Sequence, residues 1–118
     1  MAGKTINKYG TINIDDSVLA SIAGLATMEC YGLVGMATKN ATDGIAELLK
    51  REHLTKGVKV YSEDDKIMID LYVVVQFGIS ISVVASNIIE KVKYTIENIT
   101  GLKVDKVNVN VQGVRVQN

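Results

Sequence analysis

The spacing of hydrophobic residues changes at Gly78, inside the most apolar part of the chain. Before it, hydrophobic residues recur at every second position: Ile67, Ile69, Leu71, Val73, Val75 and Phe77. After it, they recur every three or four residues: Ile81, Val84, Ile88, Val92, Ile96 and Ile99. A period of two predicts a strand and a period near 3.6 predicts a helix. We therefore predict a strand over residues 66–77 and a helix over 80–100, and not a membrane span through the uncharged residues 71–89.

Turn and cap signals surround this strand and helix. Gly57 is predicted to open a hairpin that turns at the exposed acidic segment 63–65. Gly101 is expected to end the second helix in the left-handed conformation, with Leu102 making the accompanying hydrophobic contact. The final strand alternates inward valines with outward amides: Val107, Val109, Val111, and Asn108, Asn110, Gln112. At Gly113 the alternation shifts, as a bulge would cause.

The first half of the chain is less regular. Residues 9–14 alternate as a short strand, and Asp15 or Asp16 then offers a carboxylate cap for a helix that ends near residues 31–32. The predicted inward stripe of this helix is Val18, Leu19, Ile22, Ala23, Leu25, Ala26 and Cys30. Residues 34–43 suggest a loop or edge segment. Residues 45–54 predict a short amphipathic helix with its apolar side at Ile45, Leu48 and Leu49.

The element order is therefore strand, helix, strand, strand, helix, strand. This order predicts an α+β fold, a two-layer sandwich of split β-α-β type with both main helices on one face of the sheet. The sheet is expected to be mixed or antiparallel, with three to four strands. The chain contains no proline and no linker-like tract, so residues 1–118 are predicted to form a single domain.

Composition narrows the classes of protein. The chain has 118 residues, 47% of them hydrophobic, and its 13 basic and 13 acidic side chains balance. Such a chain is expected to fold around one core, and its neutrality argues against a dedicated nucleic-acid binder. Its single cysteine excludes an internal disulfide, and its first eight residues lack the apolar stretch of a signal peptide. We expect a soluble, cytoplasmic protein.

Two residue types could carry catalysis, and both have a simpler interpretation. His53 is the only histidine and lies among charged neighbours, so a solvated surface residue is favoured over a general base. Cys30 lies on the apolar stripe of the first helix and is favoured as a small buried hydrophobe. A reactive thiolate would need a nearby cation to lower its pKa. The sequence therefore predicts no catalytic residues and no enzyme.

Three further segments could bind ions or phosphates. The acidic turn 63–65 lacks the spaced ligands of a calcium loop, and residues 32–35 are too short for a phosphate-binding glycine loop. A basic group could contact phosphates or anionic lipid, although a solvated helix face is favoured: Lys50, Arg51, Lys56 and Lys59. No metal and no cofactor are predicted.

Several stretches together resemble the alkaline shock protein family of Gram-positive bacteria, also called the Gls or envelope stress response family. The matching runs are Gly10-Thr11-Ile12-Asn13-Ile14, the helix from Val18 to Glu29, Gly32-Leu33-Val34-Gly35-Met36, Gly57-Val58-Lys59-Val60, Ile69-Asp70-Leu71-Tyr72-Val73-Val74-Val75, Gly78, Val92-Lys93, and the closing run from Thr100-Gly101-Leu102 to Val111-Gln112-Gly113-Val114. The resemblance implies a non-enzymatic cytoplasmic protein of cell-envelope homeostasis and stress response. It also implies a separate integral-membrane protein that holds the chain at the inner membrane face.

Three functions follow as hypotheses. The first is an adaptor or scaffold that binds protein, with exposed Asn108, Asn110 and Gln112 on an edge strand; neither nucleic acid nor direct membrane insertion is expected for it. The second is an RNA-binding module, for which the sheet offers chiefly Tyr72 and lacks an evident second stacking aromatic. The third is a small-molecule sensor with a pocket lined by Met68, Tyr72 and Val74. The apolar second face of so small a sheet also suggests a homo-oligomer.

Overall fold

The computed structural model describes residues 3–30, 32–36, 57–63 and 66–116. Within them lie six strands and two long helices, which confirm the predicted α+β fold. The elements are β1 (Gly3–Asn7), β2 (Gly10–Ile14), α1 (Asp16–Met28), β3 (Leu33–Met36), β4 (Val58–Glu63), β5 (Lys66–Gln76), α2 (Ile81–Thr100) and β6 (Val104–Arg115).

Strand β5 is the centre of the main sheet. β6 runs parallel to it along residues 67–76, after the crossover through α2. β4 runs antiparallel to the first half of β5, from residue 66 to 71, and β3 pairs with residues 73–75 further along. Because a strand has two edges and β6 occupies one of them, β3 and β4 share the other. The sheet is therefore three strands wide and mixed, as predicted.

Both helices pack on one face of this sheet. Alternate residues of β5 are buried against them: Ile67, Ile69, Leu71, Val73 and Val75. The helices contribute small residues from α1 and branched residues from α2: Leu19, Ala23, Ala26, Val84, Ile88, Val92 and Ile96. The change of period at Gly78 thus marks the point where one core-lining strand becomes one core-lining helix.

Some helix residues that were predicted to face the core are exposed to solvent. Val18 and Leu25 on α1, and Ile81 and Ile99 on α2, are substantially exposed, whereas Thr27 of α1 is fully buried. A straight helix on a sheet buries only one side, so residues at its ends and flanks remain in solvent even when they are apolar. The buried side of α1 also includes Ala20 and Gly24.

The two helices end differently. α1 ends at Met28, several residues before the predicted end, because its last turn tightens: the amides of Glu29 and Cys30 donate to carbonyls three residues back. α2 ends at Gly101, which has φ 76° and is followed by buried Leu102, as predicted.

The predicted carboxylate cap of α1 is wrong for Asp15. This residue occupies the cap position with an extended backbone, but its side chain caps no backbone amide. It accepts instead a 2.9 Å hydrogen bond from the hydroxyl of Ser17.

The first predicted strand does not belong to the main sheet. β2 pairs only with β1 among the described strands, forming a hairpin whose two-residue turn is Lys8 and Tyr9. The sequence prediction placed residues 9–14 in the split β-α-β unit and missed β1. Both edges of β5 are already paired with β3, β4 and β6, so β2 could join the sheet only at the outside of one of these strands. It pairs instead with β1, its neighbour in the sequence.

Several predictions fall outside the described residues. They are the amphipathic helix over 45–54, His53, most of the basic group at Lys50, Arg51 and Lys56, and the acidic turn at Asp64 and Asp65. Of the uncertain stretch 34–43, the first residues form the edge strand β3, which carries a bulge between Leu33 and Gly35.

Candidate functional site

The β6 strand lies at the edge of the sheet. This 12-residue strand pairs with β5 on one side, and no other described strand pairs with its second side. Backbone amide and carbonyl groups on such a side can bond to a further strand. The free side of β6 is therefore the longest strand edge in the described part of the chain that is open to a partner.

Exposed apolar side chains continue this edge at its C-terminal end. The backbone amide of Phe77, just beyond β5, donates to the carbonyl of Arg115 at 2.7 Å, which holds the strand ends together. Phe77 is 69% exposed and Val116 is 67% exposed, with Val114 half-exposed between them. We call Phe77, Val114 and Val116 the apolar end. It adds hydrophobic surface to a strand edge that otherwise offers hydrogen bonds.

The predicted outward amides of β6 are only partly available. Asn108 is exposed, but its side-chain amide donates to Asp70 at 2.8 Å across the strand pair. Asn110 is half-buried and donates to the carbonyl of Leu71 at 3.2 Å. These two side chains therefore bind the sheet's own central strand. Gln112 is exposed at the predicted bulge, where Gly113 comes to lie opposite Val74.

The face of the sheet turned away from the helices, here called the open face, is arranged in rows across three strands. One row is Lys59, Asp70 and Asn108, and the next is Tyr61, Met68 and Lys106. Lys59, Tyr61 and Lys106 are exposed. The open face thus combines exposed cations and amides with the half-buried carboxylate of Asp70, although the chain as a whole is neutral.

The structure brings a second aromatic residue to the open face. Tyr61 on β4 and Tyr72 on β5 are on neighbouring strands and the same face, which the sequence analysis judged not to be evident. The alternation along β4 predicts this position for Tyr61. Because Val58 and Val60 face inward, Lys59 and Tyr61 face outward. Of these two outward residues, the sequence analysis named Lys59 in the basic group but did not place Tyr61 on the sheet.

The three residues proposed for a small-molecule pocket are not equally accessible. Met68 is exposed and Tyr72 is half-buried, but Val74 is almost fully buried. The backbone places a glycine beside Val74 on each neighbouring strand, Gly35 on β3 and Gly113 on β6. Val74 is therefore not available to line a pocket on this face.

Cys30 behaves as a protected thiol. It is half-buried, packs against the core and donates to the carbonyl of Ala26 at 3.6 Å. Burial raises the pKa of Cys30, and the positive charge of Lys91 only partly offsets this. Lys91 also forms a salt bridge with Glu29 at 3.2 Å, so the cation that acts on this thiol is shared with a carboxylate. The geometry disfavours a nucleophilic thiolate.

Neither metal clusters nor spanning helices occur in the described residues. No three histidine, cysteine or acidic side chains gather there in a metal-binding arrangement. Neither α1 nor α2 combines the length and the apolar character that crossing a bilayer requires.

Known proteins are similar in sequence to this chain over nearly its whole length. It is 51% identical to the uncharacterized protein YloU of Bacillus subtilis over 112 residues, covering 94% of this chain and 93% of the relative. It is 43% identical to the uncharacterized protein Spy1614 of Streptococcus pyogenes over 117 residues, covering 98% and 97%. The uncharacterized protein YqhY of Bacillus subtilis is 38% identical over 106 residues, covering 90% and 78%. No solved structure matches significantly.

A family assignment agrees with these relatives and with the resemblance found in the sequence. The chain matches the alkaline shock protein 23 family, described as having a cell envelope-related function, over residues 4–116. This match includes every strand and helix of the described structure except the first residue of β1. The chain therefore belongs to the alkaline shock protein 23 family, a family of cell envelope-related function.

Proposed function

We propose that this protein is a non-enzymatic adaptor or scaffold of the cell envelope that binds a partner protein along β6. The observation that carries the proposal is the free side of β6, a 12-residue strand that ends beside exposed Phe77, Val114 and Val116. Strand addition to such an edge combines backbone hydrogen bonds with side-chain contacts. The family's cell envelope-related function supplies the setting.

The apolar end would give such binding its affinity. When a partner strand binds, backbone groups replace hydrogen bonds to water by hydrogen bonds to the partner, so the net gain in free energy is small. Covering exposed apolar side chains is favourable. Fully burying one large apolar side chain contributes about 1.5–3 kcal/mol, so covering three half- to two-thirds-exposed ones contributes a few kcal/mol. A partner strand with hydrophobic residues near one end fits this surface.

The partner that we propose is an integral-membrane protein with a cytoplasmic segment able to add a strand. It would hold the chain at the inner face of the membrane, so that the protein works in the cytoplasm and peripherally at the envelope. Support for this arrangement comes from the envelope-related family together with α1 and α2, neither of which is suited to span a bilayer. A second copy of this chain could occupy the same edge, which would make a homo-oligomer.

Affinity capture from detergent-solubilised native cells tests the proposal. The tagged protein should recover an integral-membrane protein that remains after nuclease treatment. Val114→Lys together with Val116→Lys should abolish that recovery, because lysines at the apolar end would have to be desolvated. Ile99→Lys is the matched control, since Ile99 is 63% exposed on α2 and belongs neither to β6 nor to the apolar end.

Three results would argue against this function. Recovery that is unchanged by the Val114 and Val116 substitutions would reject the β6 edge. Recovery of RNA-bound proteins that disappear with nuclease would reject the protein adaptor. A stable dimer in light scattering that the double substitution dissociates, with no membrane protein recovered, would show that the edge serves a second copy instead.

A second candidate function is binding of single-stranded RNA on the open face. The observation that favours it is the presence of Tyr61 and Tyr72 on neighbouring strands of the open face, together with the exposed cations Lys59 and Lys106 on the same face. Aromatic side chains stack on unpaired bases, and cations contact the phosphates. Tyr61→Ala should then weaken RNA binding at low salt, while Tyr94→Ala on α2 should not; absence of any mobility shift at low salt would exclude it.

A further inference from the structure

The β1–β2 hairpin exposes large apolar side chains near its tip. Tyr9 in the turn is 87% exposed, and Ile6 and Ile12 on the two strands are 68% and 52% exposed. Of the hairpin side chains that the structure describes, Ile14 at the base packs partly against the core. An isolated two-stranded hairpin is marginally stable in water, so an exposed apolar tip of this kind calls for a covering surface.

The charge of the hairpin differs from that of the whole protein. The chain has equal numbers of basic and acidic residues, but residues 3–14 contain Lys4 and Lys8 and no aspartate or glutamate. The ammonium group of Lys8 lies 5.0 Å from the centre of the Tyr9 ring, so a cation and an aromatic ring share the tip. The surface that complements this tip is both apolar and negatively charged.

An anionic lipid bilayer has these two properties together. Tyrosine favours the boundary between lipid headgroups and hydrocarbon because it has an apolar ring and a polar hydroxyl. Lysine can place its aliphatic stem against apolar groups while its ammonium reaches the headgroups. Ile6 lies on the second cross-strand pair below the turn and Ile12 on the third, on opposite faces of the hairpin, which places them roughly 7 and 10 Å below the turn. These distances match the depth, roughly 5–10 Å, to which surface-bound segments enter the headgroup boundary.

We propose that the tip of the β1–β2 hairpin, formed by Ile6, Lys8, Tyr9 and Ile12, is a contact site for the surface of an anionic lipid bilayer. The contact is interfacial and does not span the membrane. It goes beyond the proposed adaptor function, because it requires no protein partner and uses a different part of the molecule from β6. The protein would then touch the envelope directly through the hairpin while β6 holds a partner.

The energetics predict weak, salt-sensitive binding. One lysine near an anionic membrane changes the partition coefficient about fivefold, and Lys8 is the one lysine in the proposed contact site, since Lys4 lies near the base of the hairpin opposite Asn13. Screening by salt reduces this attraction, because the charges act at the membrane surface. The hairpin alone is therefore expected to give reversible association that a protein partner strengthens.

Co-sedimentation of the full chain with lipid vesicles tests the proposal. The probes are vesicles of phosphatidylcholine alone and vesicles in which about a third of the lipid is phosphatidylglycerol, a composition that supplies the negative surface potential. The protein should sediment with the anionic vesicles and much less with the neutral ones. Raising the salt concentration should release it.

Variants locate the contact. Tyr9→Ser and Lys8→Glu should each lower the bound fraction several-fold. The matched controls are Tyr94→Ser, because Tyr94 is a 68% exposed tyrosine on α2, and Lys93→Glu, because Lys93 is an exposed lysine on the same helix. All four variants should keep the melting temperature of the parent protein, since none of these side chains belongs to the core.

The proposal is overturned if the parent protein does not sediment with anionic vesicles, or if the hairpin variants and the helix controls lose binding equally. It is also overturned if Lys8→Glu weakens binding of single-stranded RNA but leaves vesicle binding unchanged. Because the vesicles contain no protein, a negative co-sedimentation result does not argue against the proposed adaptor function of β6. Likewise, a failure to capture a membrane protein does not argue against the lipid contact of the hairpin.

Discussion

Asn108 on β6 donates a 2.8 Å hydrogen bond to the carboxylate of Asp70 on β5, at the point where the two residues face each other in the parallel register. Lys59 on β4 occupies the same row on the other side of Asp70. The carboxylate at the centre of the open face therefore has an amide on one side and a cation in the row on the other. This arrangement ties the edge strand β6 to the centre of the sheet.

Replacing the amide of Asn108 by a carboxylate should destabilise the protein. Asn108→Asp places two negative charges opposite each other on neighbouring strands and removes the donor of the hydrogen bond. We expect a loss of about 1 kcal/mol in the free energy of unfolding, measured by urea denaturation, because directly opposed like charges are unfavourable by about that amount. High salt should recover part of the loss.

The exchanged pair is the control. Asn108→Asp combined with Asp70→Asn restores one amide and one carboxylate in reversed positions, so most of the lost stability should return. A double variant no more stable than the single one would show that the hydrogen bond between these side chains contributes nothing measurable.

Gly32 should not tolerate a side chain. Its φ is 91°, and a Cβ atom there would lie 3.0 Å from a methyl carbon of Val84 on α2. Gly32→Ala should therefore cost about 2–3 kcal/mol, from the left-handed backbone and the displacement of Val84 together.

Gly10→Ala is the matched substitution, since nothing lies within 4 Å of the added atom. Thermal unfolding of both variants compares their stabilities, and Gly32→Ala should have the lower melting temperature. Equal melting temperatures for Gly32→Ala and Gly10→Ala would contradict the geometry at Gly32.

Two isoleucines on α2 should differ sharply in their contribution to stability. Ile96 is fully buried in the core, whereas Ile99, one turn further along, is 63% exposed. Ile96→Ala should cost about 2–5 kcal/mol because it removes buried methylene groups and leaves a cavity. Ile99→Ala should change the free energy of unfolding by less than about 0.5 kcal/mol. Chemical denaturation of the two variants compares them directly, and similar losses would place Ile99 in the core after all.

The thiol of Cys30 should react slowly at neutral pH. Burial raises its pKa, so the folded protein holds the proton to higher pH than an unfolded chain does. The rate of alkylation by iodoacetamide should therefore rise only at a pH above that of an unstructured thiol. Lys91→Gln removes the positive charge that lowers this pKa and should shift the rise further upward.

The same shift has a consequence for stability. A group with a raised pKa in the folded state contributes fully below its unfolded pKa, and that contribution is lost as the pH rises through the folded value. Cys30→Ala should remove this alkaline loss. An alkylation profile identical to that of a short cysteine peptide would contradict the burial of Cys30.

Much of the fold could be predicted because its second half alternates two clear periods. The inward residues of β5 from Ile67 to Val75, the buried residues Val84 to Ile96 of α2 and the glycine stop at residue 101 all follow from local spacing. The family could be recognised from the same segments. Runs such as residues 100–114 are specific to it because they contain a helix end, a strand and a bulge in a fixed order.

The candidate sites were harder to predict from the sequence. Tyr61 became part of the open face only through the register of β4 with β5, and the apolar end formed because the chain at Phe77 meets Arg115, 38 positions later in the chain's numbering. Such neighbours depend on strand pairing, which hydrophobic spacing within one segment does not specify.

The sequence by itself determined which segments are helix or strand in the second half, and which of their sides is apolar, because these properties arise from neighbouring residues. Only the tertiary structure decided that β2 leaves the sheet for a hairpin with β1, that β6 stands at an edge among the described strands, and that Val18, Leu25 and Ile99 remain in solvent. The physical reason is competition for a limited surface: the two edges of β5 and one face of the sheet accept a fixed set of partners, and segments that do not fit there remain exposed.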